Sequence, residues 1–135
     1  MIRVLDASVV VEWFASRDQA TAARADVLLD EVASSPRGFV VPSLLFHEVH
    51  AVLCRKLARS DDVAQAMDLI RRLSLPIMPF DEAVARLATD LAKHNRLSGY
   101  DATYVATAQL CNGEWITLDE PAHRRVQHLK LSALL

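Results

Sequence analysis

The sequence is poor in the residues that build several common kinds of site. Only 3 glycines occur in 135 residues, and they are scattered at Gly38, Gly99 and Gly113, so no glycine-rich loop exists to cradle a nucleotide. The 5 prolines are equally dispersed, which with so few glycines excludes a collagen-like or low-complexity chain. Two cysteines, Cys54 and Cys111, stand far apart in apolar, helical-looking stretches, and neither belongs to a Cys-x-x-Cys pair. A zinc ribbon or thioredoxin-type redox site is therefore unsupported, and both are read as buried, reduced thiols that suit a reducing cytoplasm. Uninterrupted apolar runs are a few residues long, far short of the roughly 20 that a membrane helix requires. Met1-Ile2-Arg3 is followed by Val4, Leu5 and the charged Asp6, unlike a secretory signal. Charge of one sign is lacking too: 15 basic and 17 acidic residues give −2, which argues against gripping nucleic acid through bulk positive charge.

Hydrophobic residues make up 52% of the chain and charged residues 24%. That balance, at this length, supports one soluble domain over 1–135 with a core that needs no disulfide or structural metal. Ile2-Arg3-Val4-Leu5 reads as a strand, followed after Asp6 by a helical pattern through Phe14. An alanine-rich helix spans about Gln19 to Val32. Phe39-Val40-Val41 is a second strand, and Ser43 opens a long helix carrying Phe46, Val49, Val52, Leu53 and Leu57. Ser60 caps a helix over Asp61 to Leu73. Pro76 to Phe80 is a third strand with prolines at its margins. Asp81 caps a helix to about His94, and Ser98 starts another that stops near Asn112-Gly113. Trp115 to Leu118 is the fourth strand, Pro121 begins a short helix, and Leu129-Lys130-Leu131 is a fifth strand. Short apolar strands alternating with helices predict a parallel α/β sheet between helical layers, with ligands beyond the carboxyl ends of the strands.

Acids cluster at those ends. Asp6 follows the first strand and Asp119 the fourth. Glu48 lies about one turn into the helix after the second strand, at the flank of the stripe made by Leu45, Val49, Val52 and Leu53. Asp101 begins the helix that feeds the fourth strand. Each has an ordinary alternative: Asp6 and Asp119 as helix caps, and Ser98-Gly99-Tyr100-Asp101 as a capping box. Together, carboxylates repel and raise one another's pKa unless a cation intervenes. Oxygen ligands without histidine or thiolate select Mg²⁺ or Mn²⁺ over zinc, and such an ion serves displacement at phosphorus. With these four acids set aside, 15 basic residues face 13 acidic ones, an acidic hole in a mildly basic surface.

Val4-Leu5-Asp6-Ala7-Ser8, Glu48 in the third helix, Tyr100-Asp101-Ala102 and Ile116-Thr117-Leu118-Asp119, in that order, resemble a PIN domain. The resemblance covers nearly the whole chain, and the size and element order are similar to VapC-type toxins of bacterial toxin–antitoxin pairs. It implies a PIN-like α/β/α sandwich with a central parallel sheet of four to five short strands. It also implies that Asp6, Glu48, Asp101 and Asp119 are metal-binding, catalytic acids, with Ser8 and Thr117 as supporting hydroxyls. The implied activity is Mg²⁺- or Mn²⁺-dependent endonucleolytic cleavage of RNA in the cytoplasm, leaving a 5′-phosphate and a 3′-hydroxyl. The implied partners are a cognate VapB-like antitoxin and a second copy of the chain in a homodimer. Two positions depart from the pattern: Ser98-Gly99 replaces a frequent leucine or proline before Tyr-Asp-Ala, and Glu120-Pro121 follows Asp119 where a basic or small residue is frequent.

Other features compete. His47-Glu48-Val49-His50 has histidines three apart instead of the four of a zinc-protease helix. Asp6-Ala7-Ser8 lacks the second aspartate of a dehalogenase-like phosphatase. A non-catalytic PIN-like module that binds RNA or protein is the main alternative to an enzyme, and a small phosphatase a weaker one. Arg55 and Arg96 are the candidate RNA contacts, with Lys56, Arg59, Arg124 and Arg125 behind them, and Arg55 lies within about 20° of Glu48 on the helical wheel. Trp13 and Phe14 are adjacent, so one is expected in the core and the other in a partner groove or dimer interface.

Overall fold

Alternating buried segments of apolar, β-branched residues set up the sheet of this protein, whose computed structural model describes residues 1–135. The order is β1 (Ile2–Leu5), α1 (Ala7–Val11), α2 (Gln19–Ser34), β2 (Phe39–Pro42), α3 (Leu44–Lys56), α4 (Ser60–Arg72) and β3 (Ile77–Met78). There follow α5 (Glu82–Asn95), α6 (Gly99–Leu110), β4 (Gly113–Thr117), α7 (Glu120–Val126) and β5 (Ser132–Leu134). The five strands form one sheet in the order β3-β2-β1-β4-β5, and every pairing is parallel. From β1 the chain steps outward to β2 and β3, then crosses back to β4 and continues to β5. Right-handed crossovers moving in opposite directions place their helices on opposite faces, so the PIN-like α/β/α sandwich expected from the sequence is formed. The direction reverses between β1 and β4, the place where open α/β sheets leave a crevice at their carboxyl ends.

Packing holds that crevice in place. A single apolar cluster of 30 buried residues fills the interior, with Val4 and Leu5 of β1, Val41 of β2 and Trp115 of β4 fully enclosed. Helix α6 lies across β1, β2 and β4 with α5 packed on its other side, while α1 packs on α3 and α3 on α4. Seven of the twelve residues of α6 are buried, which explains its weak amphipathicity: it is sandwiched. No helix is long and apolar enough to cross a membrane.

Several boundaries differ from the sequence-based expectations. The first helix ends at Val11, and a turn carries Glu12 to Phe14. Ser43 makes no side-chain cap because its backbone is already helical, at φ −55° and ψ −27°, instead of the extended conformation a cap residue adopts; its N–H donates to the Met78 carbonyl of β3. Arg59, not Ser60, occupies the cap position of α4. The third strand is confined to Ile77–Met78 between its prolines, and the fifth lies at Ser132–Leu134. Leu129 instead ends a 3-10 turn, and Lys130 turns the chain in the left-handed region, at φ 57°, before the strand starts. Cys54 is not a core thiol. It is exposed on the side of α3 that borders α4, with Sγ 3.5 Å from His50 Nε2, and Cys111 is half-buried. Trp13 and Phe14 do not divide between core and surface: both pack half-buried against the core, edge to face at 6.5 Å, and Trp13 Nε1 donates to the Ala25 carbonyl of α2 at 2.9 Å.

Candidate active site

The four acids expected to act together do line one open cleft, of about 550 Å³, at the carboxyl ends of β1 and β4. Asp6 leaves β1 with extended backbone and becomes the N-cap of α1, its Oδ2 accepting from the Ser8 N–H at 3.0 Å. Its Oδ1 accepts from the indole Nε1 of Trp115 at 3.1 Å, and the side chain is almost wholly enclosed. Burial pushes the Asp6 carboxyl above the usual carboxylate range, against the pull of these donors. Asp119 caps α7 through Oδ1 and the Ala122 N–H at 3.0 Å. Ser98 Oγ accepts from the Asp101 N–H at 3.0 Å, so the capping serine starts α6 and aims Asp101 from its first turn. The capping roles weighed for these positions are thus real, and they are how the fold orients the carboxylates.

Two hydroxyls tie the strand ends together. Ser8 Oγ lies 3.5 Å from Thr117 Oγ1 and accepts from the Leu118 N–H at 3.1 Å. Thr117 Oγ1 accepts from the Asp119 N–H at 3.0 Å. Ser8 and Thr117 therefore clamp the turn that carries Asp119 to the start of α1, which carries Asp6.

The charge of the cleft is not balanced internally. Asp101 is raised to about 6 by burial, then by the neighbouring Asp6 and Asp119, with Arg125 and Ser98 opposing. Glu48 is also raised, chiefly by burial and further by Asp6 and Asp101. Its Oε1 is buried with no hydrogen-bond partner, and the Tyr104 hydroxyl that faces it is likewise unpartnered. Burial, then the Asp6 and Glu48 carboxylates, push the Tyr104 phenol well above its ordinary range, so it stays protonated. Orphaned polar atoms of this kind are rare in folded proteins and cost about 1–3 kcal/mol each. No three His, Cys, Asp or Glu side chains are gathered closely enough to hold a metal ion as they stand. Hard oxygen donors, mutual repulsion and an unpartnered buried oxygen nevertheless suit a divalent cation of the Mg²⁺ or Mn²⁺ type.

Residues 3–129 match the family model described as the PIN domain. The chain belongs to the PIN domain family. No curated protein matches it in sequence. Among solved structures, this PIN domain is similar to FitAcB from Neisseria gonorrhoeae, with a TM-score of 0.74 and 17% identity over 99% of this chain and 96% of that one. It is similar to a toxin–antitoxin complex from Klebsiella pneumoniae, with a TM-score of 0.69 and 17% identity over 97% and 95% of the two chains. It also resembles VapC20 of Mycobacterium tuberculosis, a toxin that cleaves the Sarcin-Ricin loop, with a TM-score of 0.71 and 17% identity over 90% and 93%.

Of the two basic residues singled out, Arg55 lines the acid cleft of this PIN domain and Arg96 does not. Arg96 ends α5 in the left-handed region, at φ 56°, and its carbonyl accepts from Arg125 Nη1 at 3.1 Å. Sequence reasoning missed Glu12 and Arg17. Glu12 also lines the cleft, but Arg17 neutralises it, with Nε 2.7 Å from Oε1 and the backbone N–H 2.8 Å from Oε2. Trp115 and Tyr104 were missed as well, since nothing in a buried aromatic announces that its polar edge faces a carboxylate. The two rings stack at 6.0 Å behind the acids.

Proposed function

We propose that this PIN domain is a metal-dependent endoribonuclease and the toxin of a toxin–antitoxin pair. One observation carries the reading: four carboxylates from β1, α3, α6 and the β4–α7 turn meet in one cleft where burial and repulsion leave their charge uncompensated. Asp6, Glu48, Asp101 and Asp119 would hold Mg²⁺ or Mn²⁺, which when bound supplies Lewis-acid stabilisation of charge at phosphorus and acidifies a water. The protein's own part is to orient and to bind. Ser8 and Thr117 hold the Asp6 and Asp119 backbones in fixed relation. The buried Trp115 indole keeps one Asp6 oxygen in place. Arg55 and Lys56, exposed at the end of α3 and free of carboxylate partners, accept phosphates of the RNA strand beside the cut. Cleavage leaves a 5′-phosphate and a 3′-hydroxyl. A VapB-like antitoxin neutralises the enzyme by covering the cleft, and two copies associate in the cytoplasm. The similarity to structures of toxin–antitoxin complexes supports the partner, and the PIN family supports the chemistry.

The test is to incubate purified protein with a mixture of structured RNAs in Mn²⁺ and in EDTA, beside Asp6→Asn. Discrete fragments that require both metal and Asp6 are expected. Undiminished cleavage in EDTA, or by the variant, refutes the proposal. A non-catalytic RNA- or protein-binding module is favoured by a single observation, that no three carboxylates are already gathered about a point. A Mn²⁺ titration separates the readings, since a working acid cluster takes up the ion and a decayed one does not.

A further inference from the structure

Next to the acid cleft lies a second hollow of about 410 Å³, bounded chiefly by Leu44, His47, Phe80, Tyr100 and Thr103. Tyr100 lines both spaces. The connection is built into two helices: His47 precedes Glu48 on α3, and Tyr100 precedes Asp101 on α6. Successive helical residues point roughly 100° apart, so each helix presents an acid to the cleft and that acid's neighbour to the hollow. Phe80 and Tyr100 are 61% and 64% exposed, the most exposed aromatic rings of the chain, and neither is stacked on another aromatic side chain. The Ser43 hydroxyl at the hollow's edge makes no cap bond to α3. Farther along α3, at roughly 1.5 Å per residue, Arg55 and Lys56 stand about 10 Å from the Glu48 turn.

We propose that this hollow is a base-binding subsite. It takes one unpaired nucleobase next to the scissile phosphate, stacked against the Tyr100 and Phe80 rings, with Ser43 and His47 offering polar groups to its edge. The inference rests on the ribonuclease reading and adds the residues of this chain that hold a base beside the cut. Three features favour a nucleobase over an apolar peptide segment. The hollow shares Tyr100 with a carboxylate cleft suited to a divalent cation and a phosphate, its free aromatic faces suit any base, and unpaired cations lie farther along α3 to take the continuing backbone. A base held in a duplex cannot reach the two rings without unstacking.

Binding is measured in an Asp6→Asn background with Mn²⁺, using fluorescein-labelled eight-nucleotide oligo(A), oligo(C) and oligo(U) and a duplex RNA of matched length. Tyr100→Ala and Phe80→Ala are each expected to weaken single-strand binding by roughly 5- to 150-fold, the range of one base–aromatic stack. Tyr100→Phe keeps the ring and is expected to bind like its parent, and duplex RNA is expected to bind at least about tenfold more weakly than the single strands. Both rings are exposed, so folding of the variants is checked by their thermal transitions. Single-strand affinity unchanged in both alanine variants overturns the subsite. If cleavage by the otherwise wild-type chain still requires metal, the nuclease reading survives that result. Absence of both RNA binding and RNA cleavage refutes the two proposals together.

Discussion

At the amino ends of the strands, Arg3 of β1 pairs with Glu31 of α2 and lies over the Phe39 ring of β2 at 4.5 Å. At their carboxyl ends, Asp6, Glu48, Asp101 and Asp119 line one cleft, and the three of them most affected by burial are held above their ordinary pKa values. The same sheet thus carries matched charge at one end and like charge at the other. A protein selected only to fold has no reason to bury an oxygen such as Glu48 Oε1 without a partner. A cost of that kind, confined to one edge of the sheet, supports reading that edge as the site of the proposed chemistry. The amino end is built to hold, and the carboxyl end is held open by everything behind it.

Substitutions at the two ends are therefore expected to act on different quantities. The largest effect is on activity at the carboxyl end: Glu48→Gln is expected to lower RNA cleavage by at least about 100-fold. Its thermal transition in EDTA should stay level or rise, because a buried, unpartnered charge is removed. A drop in stability would make Glu48 a structural residue and break the contrast. Next comes Gly113→Ala at the amino end, where a Cβ would meet the Ile2 carbonyl oxygen at 2.6 Å and Cys111 Sγ at 3.0 Å. The β1–β4 backbones would have to part, at a cost of about 1–3 kcal/mol in a urea titration.

The third expectation concerns pH in metal-free protein. Because Asp101 titrates near 6 when folded against 3.8 in the unfolded chain, the folded state binds more protons between those values. The contribution of this group is fully present below pH 4 and lost as pH rises through 6, on the order of 2–3 kcal/mol. Thermal melts in EDTA should show that loss, and Asp101→Asn should flatten it. Added Mn²⁺ should restore stability at neutral pH by mass action, about 3 kcal/mol at a hundredfold excess over its dissociation constant. The smallest effect is Arg3→Ala. The two side chains of its pair with Glu31 are 35% and 45% exposed, so the loss should be under about 1 kcal/mol and shrink in high salt.

Legibility followed how local each cause is. Asp6 and Asp119 could be read from sequence because an acid directly after an apolar strand is a local pattern, and the crevice rule places it. Glu48 was legible from its angle on the helical wheel, and Arg55 from sharing that angle. The Ser43 cap is absent because the residue is helical rather than extended, and its N–H is tied to Met78, a strand residue distant in sequence. The fifth strand was misplaced because Leu129 looks as β-like as Leu134, and only the left-handed turn at Lys130 separates them. Cys54 was misjudged because an apolar stretch of helix still has an outer side, and which residues fall there depends on where α4 docks.

The order of apolar segments, their lengths and the acids that follow them were enough, without coordinates, to determine an α/β chain with its acids gathered at one sheet edge. Periodicity and capping act over a few residues, so the sequence carries them openly. Tertiary structure alone decided that the chain reverses between β1 and β4, which makes that edge a crevice. It also decided that the Trp115 indole holds Asp6 across 109 residues of chain, that Arg17 neutralises Glu12 while no cation reaches Glu48, and that Tyr100 looks into two spaces. Those relations depend on distances between segments remote in sequence, and such distances exist only once the core has packed.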